Sequence, residues 1–401
     1  MSLPSSEAMA RIGRVEDDVV PTGPLLFFRT EVLAEVELPV YAGLLVGLAT
    51  AGYRLEPPEL ADRLRVPRNP EGAPCFVFSY DWRRDLATTA EELFLDEAEA
   101  RVSQERLERE GSNAEAVRFD LVAHSMGGLL TRYYLRYGAR DVLLAEEGIP
   151  EVTWEGARRI DRAILVAPPN RGTAKALRNL ANGEDSFFLP AYEPALVATW
   201  ASVPQMFPPP EPGLLRDESG RSVDLDYFDA SIWREHRWGP YRPEQDDVIA
   251  RLLPRVEDPD ERLRRLSAFF EASLKRGERF VRALNSPAPP PPRTSIHLFT
   301  GDADATLARG RVVRKNSLFQ LVFQESSPLH TEPGDGSVTR RSALADLRPA
   351  PSRGRLRSSV PWTSIVFLSD RHAGFLSNRV FQDNLLYLLL ETSPVRERDD
   401  L

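Results

Sequence analysis

The sequence predicts an α/β fold in which a mostly parallel sheet is wrapped by helices on both faces. Five short runs rich in β-forming residues, 76–80, 117–123, 160–167, 295–300 and 363–368, lack the polar alternation of a half-exposed strand, so each reads as buried on both faces. Helical patterns separate them. Tyr41, Leu44, Leu45 and Leu48 fall on one helix face, as do Val380, Phe381, Leu385, Leu388 and Leu389 near the end of the chain. Alternation of strand and helix implies parallel pairing with crossover helices.

Composition sets the bounds. A chain of 401 residues with 42% apolar residues can form one large domain with insertions as readily as two domains. A net charge of -9 excludes a nucleic-acid surface, which needs clustered Lys and Arg. No uncharged run approaches the ~20 apolar residues needed to span a bilayer, so contact with a membrane would be peripheral.

The elements follow in order. Residues 1–20 are polar and read as a disordered or partial N-terminus, and without an apolar h-region they carry no secretion signal, so residence in the cytoplasm is expected. The domain proper is expected over 21–401. Cys75, the only cysteine, borders the apolar run 76–80 and reads as an inert core thiol. The charged stretch 91–110 reads as a helix with a solvated face. From 174 to 293 the strand–helix alternation lapses. Proline clusters "MFPPPEP" and "PAPPPP" and three of the six tryptophans, Trp200, Trp233 and Trp238, mark an inserted cap there. Residues 260–284 within it have a helical pattern, and Pro289–Pro292 then forces an extended return to the sheet.

The chemistry centres on "AHSMG", where Ser125 ends a strand and opens a helix with small residues two positions to either side. That is the context of the G-x-S-x-G nucleophile elbow, in which a sharp turn exposes the hydroxyl; Gly127 and Gly128 at a helix start suggest close packing or ligand approach. A serine hydroxyl needs a base, and there are five histidines. His124 would project elsewhere from the turn, His297 lies inside a strand, His236 in the cap and His330 before a turn. His372, between the last strand and the last helix, occupies the position that the order Ser, acid, His requires. Two sources compete for the acid: Asp302 and Asp304 at a strand end, and Asp335 in the tight turn "PGDGSV".

Several stretches together resemble the lecithin:cholesterol acyltransferase family of α/β-hydrolases: "YAGLLVGLATAGY", "FSYDWR", "AHSMGG", "LVAPPNRGT", "WASVPQMFP", "GDGSV" and "DRHAGFL", in the family's order over roughly residues 38–385. The resemblance implies the acid in the "GDGSV" turn, and so a triad of Ser125, Asp335 and His372. It implies acyl-ester chemistry without cofactor or metal: attack on a lipid ester, an acyl-serine, then transfer to an alcohol or to water. The Met126 N–H is the expected oxyanion donor. Asp81, Trp82 and Arg83 are expected near the substrate, although a structural ion pair with a packed indole explains them equally well, and the cap side chains Trp200, Met206 and Phe207 are candidates to cover an acyl chain, although such clusters are more often simple core packing. One part of the pattern is missing. Family members begin with an apolar strand ending in Pro-Gly that supplies a second oxyanion donor, and no such strand precedes "GPLLFFRTEVLAEVELPVY". Either this sequence starts downstream of that strand, or half of the oxyanion hole and a central strand are lost; in the second case the rival expectation is a catalytically impaired scaffold that binds lipid or protein.

Overall fold

The structure is a computed structural model that describes residues 21, 23–31, 35–93, 95–110, 117–144, 148–149, 151–186, 189–348 and 354–393, so the expected N-terminal segment 1–20 lies outside the described residues. The chain opens with an antiparallel hairpin, β1 (Phe27–Glu31) and β2 (Glu35–Pro39), followed by α1 (Ala42–Thr50). A short parallel pair comes next, β3 (Arg54–Glu56) and β4 (Pro74–Phe76), linked through α2 (Glu59–Leu64). Helices α3 (Leu86–Glu91) and α4 (Leu95–Glu110) lead to β5 (Phe119–His124), α5 (Met126–Tyr137) and β6 (Ile160–Val166).

The cap contains α6 (Ala174–Asn182), β7 (Glu184–Ser186), β8 (Leu189–Tyr192), α7 (Pro194–Val197), α8 (Ser202–Gln205), β9 (Leu215–Arg216), α9 (Ala230–His236), α10 (Asp246–Leu252) and α11 (Pro259–Asn285). The chain then returns to the sheet as β10 (Ser295–Thr300). It leaves again through β11 (Asp304–Leu307), β12 (Gly310–Lys315), β13 (Leu318–Val322), β14 (Thr331–Gly334) and α12 (Arg340–Ala343), and ends with β15 (Ser364–Phe367) and α13 (Arg379–Leu386).

Strands β5, β6, β10 and β15 form a four-stranded sheet in that order, parallel throughout. Its central strands are apolar because both faces are covered, and successive side chains divide between the two cores. Ala163 and Leu165 of β6 pack on one side with α3, α5 and α11; Ile164 and Val166 pack on the other with α1 and α13. Four of the five apolar runs of the sequence fall on the strands of the main sheet; the first, expected over 76–80, meets a strand only at Phe76, where β4 ends, and residues 77–80 carry no strand assignment.

Beyond the expected cap boundary the structure adds a second excursion. β12 pairs with β9 of the cap, and Val312 and Leu321 complete the aromatic core built by Phe207, Trp233 and Phe270. Without β12, the two-residue β9 would be left with an open edge. At the other end of the main sheet, no strand among the described residues pairs with the outer edge of β5. A cleft of about 800 Å³ lies there, between residues 73–80 and 117–124.

Candidate active site

Ser125 follows β5 directly and caps the N-terminus of α5 with φ 54° and ψ -124°. A non-glycine residue in that region is strained, and strain at a strand-to-helix turn aims the hydroxyl away from both elements. The turn is fixed by the N–H of Ser125, which donates to the carbonyl of Val166 at 2.8 Å, and by the N–H of Gly128, which donates to the Ser125 carbonyl at 2.9 Å. Space forbids a larger residue at Gly128, where a Cβ would stand 2.6 Å from the Pro168 Cβ. Gly127 is not tightly packed: an added Cβ would make ordinary contacts of 3.8 Å with Ala123 and Tyr80, and this glycine lines the cleft.

Three loops bring the expected triad residues together. His372 follows β15, and its Nε2 accepts from the Ser125 hydroxyl at 2.8 Å. Its Nδ1 lies 2.9 Å from Oδ2 of Asp335, in the turn after β14. An ionised carboxylate only accepts, so the Nδ1 proton is placed by Asp335 and Nε2 is left as the basic nitrogen. Asp335 is 1% exposed. Burial pushes its carboxyl up, but the His372 imidazole and the backbone N–H groups of Val338 and Ser337 outweigh that and hold it below the usual carboxylate range. The backbone N–H of His372 also donates to the Asp335 carbonyl at 3.0 Å, so the two loops are clasped twice. Asp302 and Asp304 turn instead to Arg340 and Arg371, at 3.2 and 3.4 Å.

His124 is the contributor that sequence reasoning missed. Its ring lies 4.9 Å from the His372 ring, and its Nε2 donates to the His372 carbonyl at 3.0 Å. Burial and the neighbouring imidazole push its pKa down to about 3, so it stays neutral and serves as a hydrogen-bond donor that braces the His372 loop. The bond joins positions 248 apart, and no local pattern announces it. The remaining histidines are structural. His297 bridges the hydroxyls of Ser364 and Ser295, His236 packs tilted against Trp238 and edge-on to Phe319, and His330 Nδ1 accepts from the Gln324 N–H.

Met126 opens α5, and the first N–H groups of a helix have no intrahelical acceptor and sit at the positive end of its dipole. The N–H groups of Val40, Tyr41 and Ala42, at the start of α1, all donate to the carbonyls of Leu25 and Leu26. Tyr41 approaches the site only through its ring, which meets His124 edge-on.

The residues expected near the substrate divide. Asp81 and Arg83 form a two-pronged ion pair at 2.8 and 2.6 Å, and the Arg83 carbonyl receives the Ser202 N–H of the cap at 3.3 Å, so both act in the frame. Trp82 is 40% exposed, borders the cleft and stands edge-on to Trp200 at 4.8 Å. Of the two alternatives for the cap side chains, core packing describes Trp200 and Phe207. Phe207 is fully buried among Tyr227, Phe228 and Trp233, Trp200 is buried beneath Trp82, and Met206 is partly buried between the two cores. A cap needs a core of its own, and these side chains build it.

A family model described as lecithin:cholesterol acyltransferase matches residues 71–242, bearing out the expected resemblance over a span that holds Asp81–Arg83 and the Ser125 elbow. A chain in the crystal structure of the Tle4–Tli4 complex aligns with 96% of this chain and 78% of its own, with a TM-score of 0.51 and 15% identity, a likeness of fold. A four-domain nonribosomal peptide synthetase aligns only at a TM-score of 0.26 and 12% identity, with 85% of this chain and 19% of its own covered. No curated protein matches. The fold is thus that of an α/β-hydrolase, with a mostly parallel sheet and helices on both faces.

Proposed function

We propose that this chain, which matches the lecithin:cholesterol acyltransferase family over residues 71–242, transfers acyl groups from lipid esters through an acyl-serine on Ser125. The observation that carries the reading is the unbroken chain of contacts Ser125–His372–Asp335, at 2.8 and 2.9 Å, on a strained strand-to-helix turn.

His372 Nε2 takes the hydroxyl proton as Ser125 Oγ attacks the ester carbonyl. Asp335 holds the tautomer and stabilises the imidazolium that forms. Negative charge on the carbonyl oxygen develops at the head of α5, where the Met126 N–H donates. Collapse expels the alcohol, which receives the proton from His372 and leaves the acyl group on Ser125. Water or a second alcohol, deprotonated by His372, then attacks the acyl-serine and restores the hydroxyl.

Commitment of the α1 N–H groups to Leu25 and Leu26 favours the rival reading of an impaired scaffold that binds lipid or protein. Magnitudes favour an enzyme. A missing oxyanion donor costs ~10²–10³ in rate, against ~10⁶ for loss of the triad. Substrate would be met at a lipid surface from outside: among the described residues no helix is long and apolar enough to cross a membrane. The half-exposed Trp82 is suited to that contact.

The test is turnover of a short chromogenic ester by wild type, Ser125→Ala and His372→Ala. Turnover confined to wild type is expected; turnover unchanged in both variants, or absent from all three, refutes the reading. Product analysis with a labelled phospholipid, with and without an acceptor alcohol, separates transfer from hydrolysis.

A further inference from the structure

The loop 168–173, "PPNRGT" between β6 and α6, supplies no member of the triad, yet it touches the mounts of both the nucleophile and the acid. On one side it meets α5, the helix that begins at Ser125. Pro168 fills the space beside Gly128, and the buried guanidinium of Arg132 donates to the backbone and side-chain oxygens of Asn170 at 3.1 and 3.2 Å. On the other side it meets the chain that follows Asp335. There Asn170 Nδ2 donates to the Ala343 carbonyl of α12 at 2.6 Å, and the Thr173 hydroxyl donates to the Ser337 carbonyl at 3.0 Å. The Thr173 N–H also donates to the Met206 carbonyl of the cap at 2.8 Å. Nucleophile helix, acid turn and cap thus share one loop.

We propose that Thr173 is a positioning residue for the acid. The proposal rests on the acyl-serine reading and names a residue outside the triad on which that reaction depends. The Thr173 hydroxyl has one proton and spare lone pairs, and its two uses are separate. The oxygen accepts from the Lys175 N–H at 3.2 Å and so caps α6, while the proton goes to the Ser337 carbonyl. Ser337 is also the residue whose N–H donates to Asp335 Oδ1 at 2.9 Å. A shift of Ser337 therefore turns the carboxylate whose other oxygen faces His372. Further ties hold the turn: the Gly336 N–H donates to Thr306 Oγ1 at 2.8 Å, and the His372 N–H to the Asp335 carbonyl at 3.0 Å. Loss of the Thr173 bond thus tilts the acid without freeing it. A misplacement of ~1 Å can cost ~10² in rate, so a smaller tilt is expected to cost about tenfold.

The experiment is a double-mutant cycle on kcat for a short 4-nitrophenyl ester, with each variant checked for folding by circular dichroism and urea unfolding. Thr173→Val removes the hydroxyl at nearly constant volume. It is expected to lower kcat about tenfold in the wild-type background with KM nearly unchanged, and less than about twofold in Asp335→Asn, where no carboxylate remains to be aligned. Thr173→Ser, which restores the hydroxyl, should bring kcat back to within about threefold of wild type. A merely structural role predicts the same loss in both backgrounds. If Thr173→Val does not fold, Thr173→Asp takes its place in the cycle, because its carboxylate keeps the helix cap but has no proton for Ser337. Equal losses in the two backgrounds, a Thr173→Val enzyme within twofold of wild type, or failure of Thr173→Ser to restore kcat overturns the proposal alone. A wild-type protein that turns over no ester overturns the acyl-serine reading, and the proposal falls with it.

Discussion

Replacing Asp335 by Asn exchanges one carboxylate oxygen for an NH2 group and changes almost no volume. Oδ1 of Asp335 accepts from the Ser337 and Val338 N–H groups at 2.9 and 2.7 Å, and the amide oxygen of Asn can keep both bonds. The amide nitrogen then replaces Oδ2, the atom 2.9 Å from His372 Nδ1. Because an amide N–H donates, Nδ1 must give up its proton and Nε2 must carry one, which turns an N–H toward Ser125 Oγ where an acceptor is needed. The loss expected is about 10⁴ in kcat, or about 5.5 kcal/mol of transition-state stabilisation, with KM nearly unchanged. The assay is steady-state turnover of a short ester, with circular dichroism and urea unfolding to show that the turn survives. Asp302→Asn and Asp304→Asn serve as controls, since each disturbs only an ion pair with a partly exposed arginine and should cost less than about threefold. An Asp335→Asn enzyme within tenfold of wild type, or a large loss in either control, would refute the assignment of the acid.

Other consequences concern stability. Gly128→Ala forces a Cβ to within 2.6 Å of Pro168 and should cost about 1–3 kcal/mol by urea unfolding, whereas Gly127→Ala, with contacts of 3.8 Å, should cost less. Arg276 is buried between Asp85 and Asp141, each held at 2.6 Å, so Arg276→Ala strands two carboxylates and should cost about 3–5 kcal/mol. Burial pushes His124 down to about 3 and His297 to about 4, both below the ordinary 6.5. The unfolded chain therefore binds protons that the folded one refuses, and the stability these groups contribute is present above pH 6.5 and lost as pH falls toward 4 and then 3. On the order of 1–2 kcal/mol per histidine should go between pH 7 and pH 5. Equal urea midpoints at the two pH values would contradict this.

The strands were legible because burial on both faces leaves a continuous apolar run, and Ile164 and Val166 face one core while Ala163 and Leu165 face the other. The run at 76–80 overstated its strand, since a run shows burial and not pairing, and the neighbouring position toward β5 is a cleft. The hairpin of β12 and β13 escaped notice because half its residues face outward and its fixing partner, β9, lies about a hundred positions earlier. At the site, residues named by a local turn or by their place after a strand were readable: Ser125, His372 and, with the family resemblance, Asp335. For Phe207 and Trp200 the choice between pocket and core stayed open, because an aromatic side chain looks the same in sequence whether it lines a pocket or builds a core. His124 lay beside the nucleophile, but its partner is a backbone carbonyl on a distant loop.

The nucleophile itself can be tested in one measurement. Intact-mass analysis after treatment with a fluorophosphonate should show a single adduct on wild type, mapped to Ser125 by peptide digestion, and none on Ser125→Ala. Equal labelling of the two proteins, or no adduct on correctly folded wild type, would contradict the assignment of Ser125 as the activated serine.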